Sequence, residues 1–254
     1  MAITITAGAW VASSAGASVT PVLPASPQAG DLHVIYAGGK PYTTTFTDPG
    51  GWTLITNTDG TNGTVASGTD VGSIIQKAYY RYWQSGDTDP TITFTGGNVF
   101  LGCIHRFRPT AGSTIDTPVG GREGDVLSGT AYSAAVSGID IDANDAIVTY
   151  TTIAGNNATF DTPTLSATGV TFGTVSESPA TEGSTSSGND LEASASTALP
   201  SAGPSSSGTT IGWTLSFAQT GLSALVRIRE SAAATTAQKK TLIINQAVNR
   251  AAYI

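Results

Sequence analysis

The amino-acid sequence predicts an all-β protein, made of two tandem jelly-roll-like β-sandwich repeats with a C-terminal extension. Three observations predict it. Gly, Ser, Thr and Ala dominate the 254 residues while Lys, Glu and Met are scarce, a mixture poor in helix formers and rich in turn formers. Short alternating segments recur at even spacing between Gly/Pro-rich turns. The chain also resembles itself. GDLHVIY at 30–36 faces NDAIVTY at 144–150, so that Asp31, Val34 and Tyr36 correspond to Asp145, Val148 and Tyr150. Phe46 and Phe160 keep the same spacing, and LGCIHRFRP at 101–109 faces LSALVRIRE at 222–230.

The elements of the first repeat follow in order. Strands are expected near 3–6, 18–23, 32–38, 43–46, 52–56, 74–83, 91–94 and 100–107. Each is bounded by a turn signal such as SPQAGD, DPGG, DGTNG, SGDTDP or TGGN. The first sandwich is assigned to residues 1–112, and GSTIDTPVGGREGD opens a linker over 113–129. A second sandwich covers 130–230, and residues 231–254 form a C-terminal arm that matches neither repeat. The two sandwiches are expected to project as compact domains.

Composition excludes several function classes. A formal charge of −7 and no basic patch speak against nucleic acid as a partner. One cysteine, Cys103, rules out an internal disulfide and a cysteine-based zinc site. MAITITAGAW lacks the features of a secretory signal, no apolar run is long enough to span a bilayer, and assembly in a host cytoplasm is expected.

Within 101–109, strand alternation puts Leu101, Cys103, His105 and Phe107 on one face and Ile104, Arg106 and Arg108 on the other. The second repeat replaces Cys103 and His105 by Ala224 and Val226, which reads them as core residues rather than a nucleophile and base. Arg106, Arg108, Arg227 and Arg229 recur at alternate positions of the last strand of each repeat. They are either solvated charge paired with nearby carboxylates or a contact to a neighbouring subunit.

IIQKAYYRYWQ at 74–84 offers Tyr79, Tyr82 and Trp83 as a candidate glycan platform, against plain packing of a long central strand. GIDIDANDA at 138–146 starts like a calcium loop through Asp140, Asp142 and Asn144. It has Asp145 and Thr151 where that pattern needs glycine and glutamate, so a polar turn is the simpler reading. No nucleophile elbow, P-loop or zinc-protease motif is present, and no cofactor or metal is expected. A glycan hydrolase, with carboxylates too scarce to suggest a pair, is the least supported reading.

The order AGDLHVIYAGG, PGGWTLI, an aromatic strand, SGDTDPTITFTGG and IHRFRPTAGSTID resembles β-sandwich structural proteins of tailed bacteriophages. It covers residues 1–120 well and the second repeat more loosely. The resemblance implies a non-enzymatic virion protein, foremost a capsid decoration or stabilising protein, with a tail or adsorption module binding host glycans as the alternative. It implies major capsid or tail protein subunits as partners, a homo-oligomer, and no membrane. Leu242, Ile243, Ile244, Val248 and Tyr253 in the arm are the candidate apolar contacts to another subunit.

Overall fold

Alternating apolar residues between glycine- and proline-rich turns build strands throughout the chain. The computed structural model describes residues 3–13, 17–62, 73–126, 130–143, 145–155, 160–183, 191–204, 208–215 and 220–232. The first half contains β1 (Thr4–Ala7), β2 (Val11–Ser13), β3 (Ser18–Val19), β4 (Leu32–Lys40), β5 (Thr45–Thr47), β6 (Thr53–Leu54), β7 (Gly60–Asn62), β8 (Ile74–Tyr82), β9 (Ile92–Thr95) and β10 (Val99–Arg108). The remainder contains β11 (Ser113–Ile115), β12 (Val119–Val126), β13 (Ala131–Val136), β14 (Asp145–Ile153), β15 (Phe160–Ser166) and β16 (Thr171–Phe172). It ends with β17 (Ser176–Gly183), β18 (Leu191–Ala198), β19 (Pro200–Ala202), β20 (Thr209–Leu215) and β21 (Thr220–Ala232). The chain is all-β over the described residues, consistent with β-sandwich architecture.

Two large antiparallel sheets dominate, ordered β1-β10-β4-β8-β6 and β11-β21-β14-β18-β17. Smaller sheets, β3-β9-β5 and β13-β20-β15, complete the two halves. The first outer core joins Ile35 and Ile104 to Phe46, Ile92 and Phe94, with Phe94 stacked on Phe100 at 3.9 Å. The second joins Ile147 and Leu225 to Tyr132, Ala134, Ile211 and Trp213.

The large sheets also pack on each other. Leu32, Val34, Tyr36, Cys103 and Phe107 meet Ala146, Val148, Tyr150, Val226 and Ile228 in one core, and the rings of Tyr36 and Tyr150 stack at 4.7 Å and 8°. Hence β4 and β14 are buried along their full lengths, on both faces. The expectation of separately projecting sandwiches is corrected on this point, because the matching faces of the two halves bury each other.

A second correction concerns residues 113–129. Their described part forms β11 and β12, both paired with β21, so it belongs to the second large sheet. Mixed charge and glycine hide these strands in the sequence. Gly120 and Gly121 are there for close packing: a Cβ would come within 2.3 Å of Thr58 and 2.6 Å of Val136. Residues 231 and 232, expected to begin the arm, continue β21, and residues 233–254 lie outside the described residues.

Tyr150→Ala removes a ring from the shared core and is expected to cost about 3–5 kcal/mol in urea unfolding. Tyr42→Ala, at a residue 39% exposed, is expected to cost less than about 0.5 kcal/mol.

Candidate functional site

The four repeat arginines lie at two matching corners, each built from a turn and the strand beside it. In the first, the turn before β4 carries Asp31, whose backbone N–H donates to Gln28 O (3.0 Å) while its carboxylate accepts from Gln28 N–H (2.8 Å). Arg108 donates to both carboxylate oxygens, from Nε at 2.8 Å and Nη2 at 2.7 Å. Arg108 Nη2 also reaches Ser26 O, and Arg106 ties Ala25 O and Thr6 Oγ1 to the same corner.

The second corner repeats the construction. Asp145 accepts from Asp142 N–H (2.8 Å), from Arg229 Nε (2.8 Å) and from Arg229 Nη2 (2.9 Å), while Arg227 donates to Asp140 O (2.8 Å). Asp31 and Asp145 are both 1% exposed. Burial alone would raise the Asp31 carboxyl, but hydrogen bonds from Arg108 and Gln28 and the charges of Arg108 and Arg106 outweigh it and hold it below the ordinary value. Arg106 is buried, while Arg108, Arg227 and Arg229 keep a partly exposed rim. Every one of the four is therefore bound inside the chain, and a neighbouring molecule meets only what remains of that rim.

Cys103 and His105 are fully buried between the large sheets. His105 Nδ1 lies 3.2 Å from Tyr150 Oη and 4.0 Å from Cys103 Sγ. Burial pushes the Cys103 thiol up and the His105 imidazole down to about 4, so near neutrality the thiol keeps its proton, the imidazole is neutral, and the two form no thiolate–imidazolium pair. His33 is 1% exposed, its Nε2 has no hydrogen-bond partner among the described residues, and burial takes it to about 4 as well.

The structure does not bring Tyr79, Tyr82 and Trp83 together as a platform. Tyr79 is buried and donates to Asp48 at 2.7 Å. Tyr82, two-sided alternation away, packs on the central core and donates to Ile115 O at 3.0 Å. Trp83 meets His33 edge to face at 6.0 Å. The residues instead meet the two competing demands of a strand that has a core on either side.

Asp142 forms an ion pair with Arg229, Asp140 lends its carbonyl to Arg227, and Asn144 lies outside the described residues. Among the described residues no group of three or more His, Cys, Asp or Glu side chains is placed to hold a metal ion. Leu242, Ile243, Ile244, Val248 and Tyr253 also lie outside the described residues.

Several open concavities lie elsewhere among the described residues, one of about 480 Å³ beside Asp59 and Arg122 among them. A groove of about 690 Å³ runs between β1 and the residues around β17 and the end of β18, with Ile5, Glu177 and Leu199 in its walls. A cleft of about 370 Å³ lies between the DPGG and SGDTDP turns, lined by Trp52, Arg81, Asp87, Thr88 and Asp89. Sequence reasoning missed this cleft, although both turns were visible, because nothing local shows that the turns at 48–51 and 85–90 face each other.

The buried histidines set a pH dependence. The folded chain holds both at about 4 against 6.5 for a free imidazole, so the unfolded chain takes up protons first as pH falls. Stability is full above pH 6.5 and is lost between 6.5 and about 4, by on the order of 3 kcal/mol per histidine. Protonation of Asp31 continues the loss below that range. Urea midpoints measured across pH are expected to show this slope, and His105→Leu to flatten it; a level profile contradicts the burial of these rings. Compared with known proteins, the chain matches no family model, no curated protein and no solved structure.

Proposed function

We propose that the chain is a non-enzymatic structural protein of a bacteriophage virion, foremost a capsid decoration or stabilising protein, composed of two jelly-roll-like copies. The observation that carries this reading is the use made of the polar side chains. The residues with reactive chemistry, Cys103, His105 and His33, are enclosed in cores, and the recurring arginines hold turns to strands at both corners. Such a molecule is built to keep its shape. The matching corners and the matching order of β10-β4-β8 and β21-β14-β18 support duplication of one unit.

The sequence resemblance to phage structural proteins supplies the virion context. In that setting the outer sheets and the exposed rims of Arg108 and Arg229 would face neighbouring subunits, and the arm would add apolar contacts through Leu242, Ile243, Ile244, Val248 and Tyr253. Capsid or tail subunits are the partners, in a symmetric homo-oligomeric array.

Immunogold labelling of particles from a producing lysate tests this. Label over the heads is the expected result, with loss of label when residues 233–254 are deleted. Antigen found free in the lysate, with bare particles, contradicts the virion reading.

A further inference from the structure

We infer that the cleft beside Trp52 is a binding site for a neutral sugar. This goes beyond the virion reading and does not depend on it. The cleft, about 370 Å³, falls in the range of about 300–1,000 Å³ typical of small-molecule sites.

Its floor is fixed. Arg81 donates to Asp87 from Nε (2.9 Å) and Nη2 (2.6 Å), and from Nη1 to Gly51 O (2.7 Å). Asp87 also accepts the Gln84 N–H at 2.9 Å, which ties the second turn to the same guanidinium–carboxylate pair. Gly51 permits the first turn: it has φ +78°, and a Cβ there would meet Arg81 Nη1 at 2.3 Å. The result is a polar base held by hydrogen bonds before any ligand arrives.

Trp52 forms one wall; its backbone N–H donates to Pro49 O, and its side chain packs partly on the core of Ile35, Phe46 and Phe94. Among the described residues it has no ring partner, unlike the other three tryptophans. Trp10 meets Tyr36, Trp83 meets His33, and Trp213 meets Phe160. A half-buried indole beside fixed hydrogen-bonding groups suits the apolar C–H face of a pyranose ring, with the polar groups left for its hydroxyls. Asp89 uses Oδ1 on Leu23 N–H (2.8 Å), which leaves Oδ2 for a ligand, and Thr88 is exposed next to it.

The fold itself does not require this cleft. Register sets Arg81 opposite His33, and at the matching place in the second half Ala198 stands opposite Ile147. Likewise Trp52 precedes Thr53, paired with Tyr80, where Val175 precedes Ser176, paired with Thr197. The second half keeps the strands without the indole or the guanidinium. Two carboxylates around one guanidinium leave the cleft net negative, which selects against uronates and sialic acids.

The test is saturation-transfer NMR on the full-length protein with glucose, galactose and N-acetylglucosamine, and with glucuronate and N-acetylneuraminate as acidic probes. Transfer to at least one neutral sugar is expected, weakened about tenfold by Trp52→Ala and largely restored in Trp52→Phe. Asp89→Asn, which alters the rim of the cleft without touching the Arg81 floor, is expected to weaken binding while leaving the melting temperature unchanged. Trp83→Ala is expected to bind normally. No transfer to any neutral sugar at millimolar concentration, equal transfer to the acidic probes, or undiminished binding by a folded Trp52→Ala protein overturns the proposal. None of these outcomes touches the virion reading, which the particle labelling decides.

Discussion

The rest of the structure depends on burial of the two large sheets on both faces. A sheet with one core can leave its other face to water, and its strands then alternate. Here β4 and β14 are buried residue by residue, because each has an outer sheet on one side and the opposite large sheet on the other. Tyr36 and Tyr150 stack where the two meet, and their hydroxyls are occupied: Tyr36 donates to Gln76 Oε1 at 2.9 Å and contacts Thr152, while Tyr150 meets His105. A layer made of tyrosines must satisfy such groups or lose stability, and this one satisfies them across the junction.

The arginine corners answer the other structural problem, the ends of the strands. Each large sheet must hand its chain to a turn, and a turn has few apolar contacts of its own. A buried carboxylate with a bidentate arginine fixes that turn against the last strand, at Asp31 and Arg108 in one half and at Asp145 and Arg229 in the other. The same pair is found twice, with backbone carbonyls bound in the same way by Arg106 and Arg227, so the same solution serves both corners.

Much of this was legible in the sequence, and the exceptions have physical causes. All eight strands expected in the first half find a counterpart, because each is alternating or aromatic and ends in a turn signal. Short β2 and β7, with sequences VAS and GTN, carry no such pattern and are held by pairing with β10 and β8. β12 is hidden by its own glycines, which are there because another strand approaches closely. The correspondence of Asp31 with Asp145 was plain, and so was that of the arginines, yet the bond between them spans 77 residues in one half and 84 in the other. Tyr79, Tyr82 and Trp83 stayed a candidate platform beside plain packing, since sequence alone cannot say that both faces of their strand are covered. Trp52 was overlooked for the reverse reason: it is one aromatic just before a short strand, and only the fold sets it beside Arg81 and Asp89.

Differential scanning calorimetry of the full-length chain tests the shared core most directly. If Leu32, Val34, Tyr36, Ala146, Val148 and Tyr150 form one continuous core, the halves cannot unfold apart, and a single transition with equal calorimetric and van't Hoff enthalpies is predicted. Two resolved transitions, one for each half, would contradict the account.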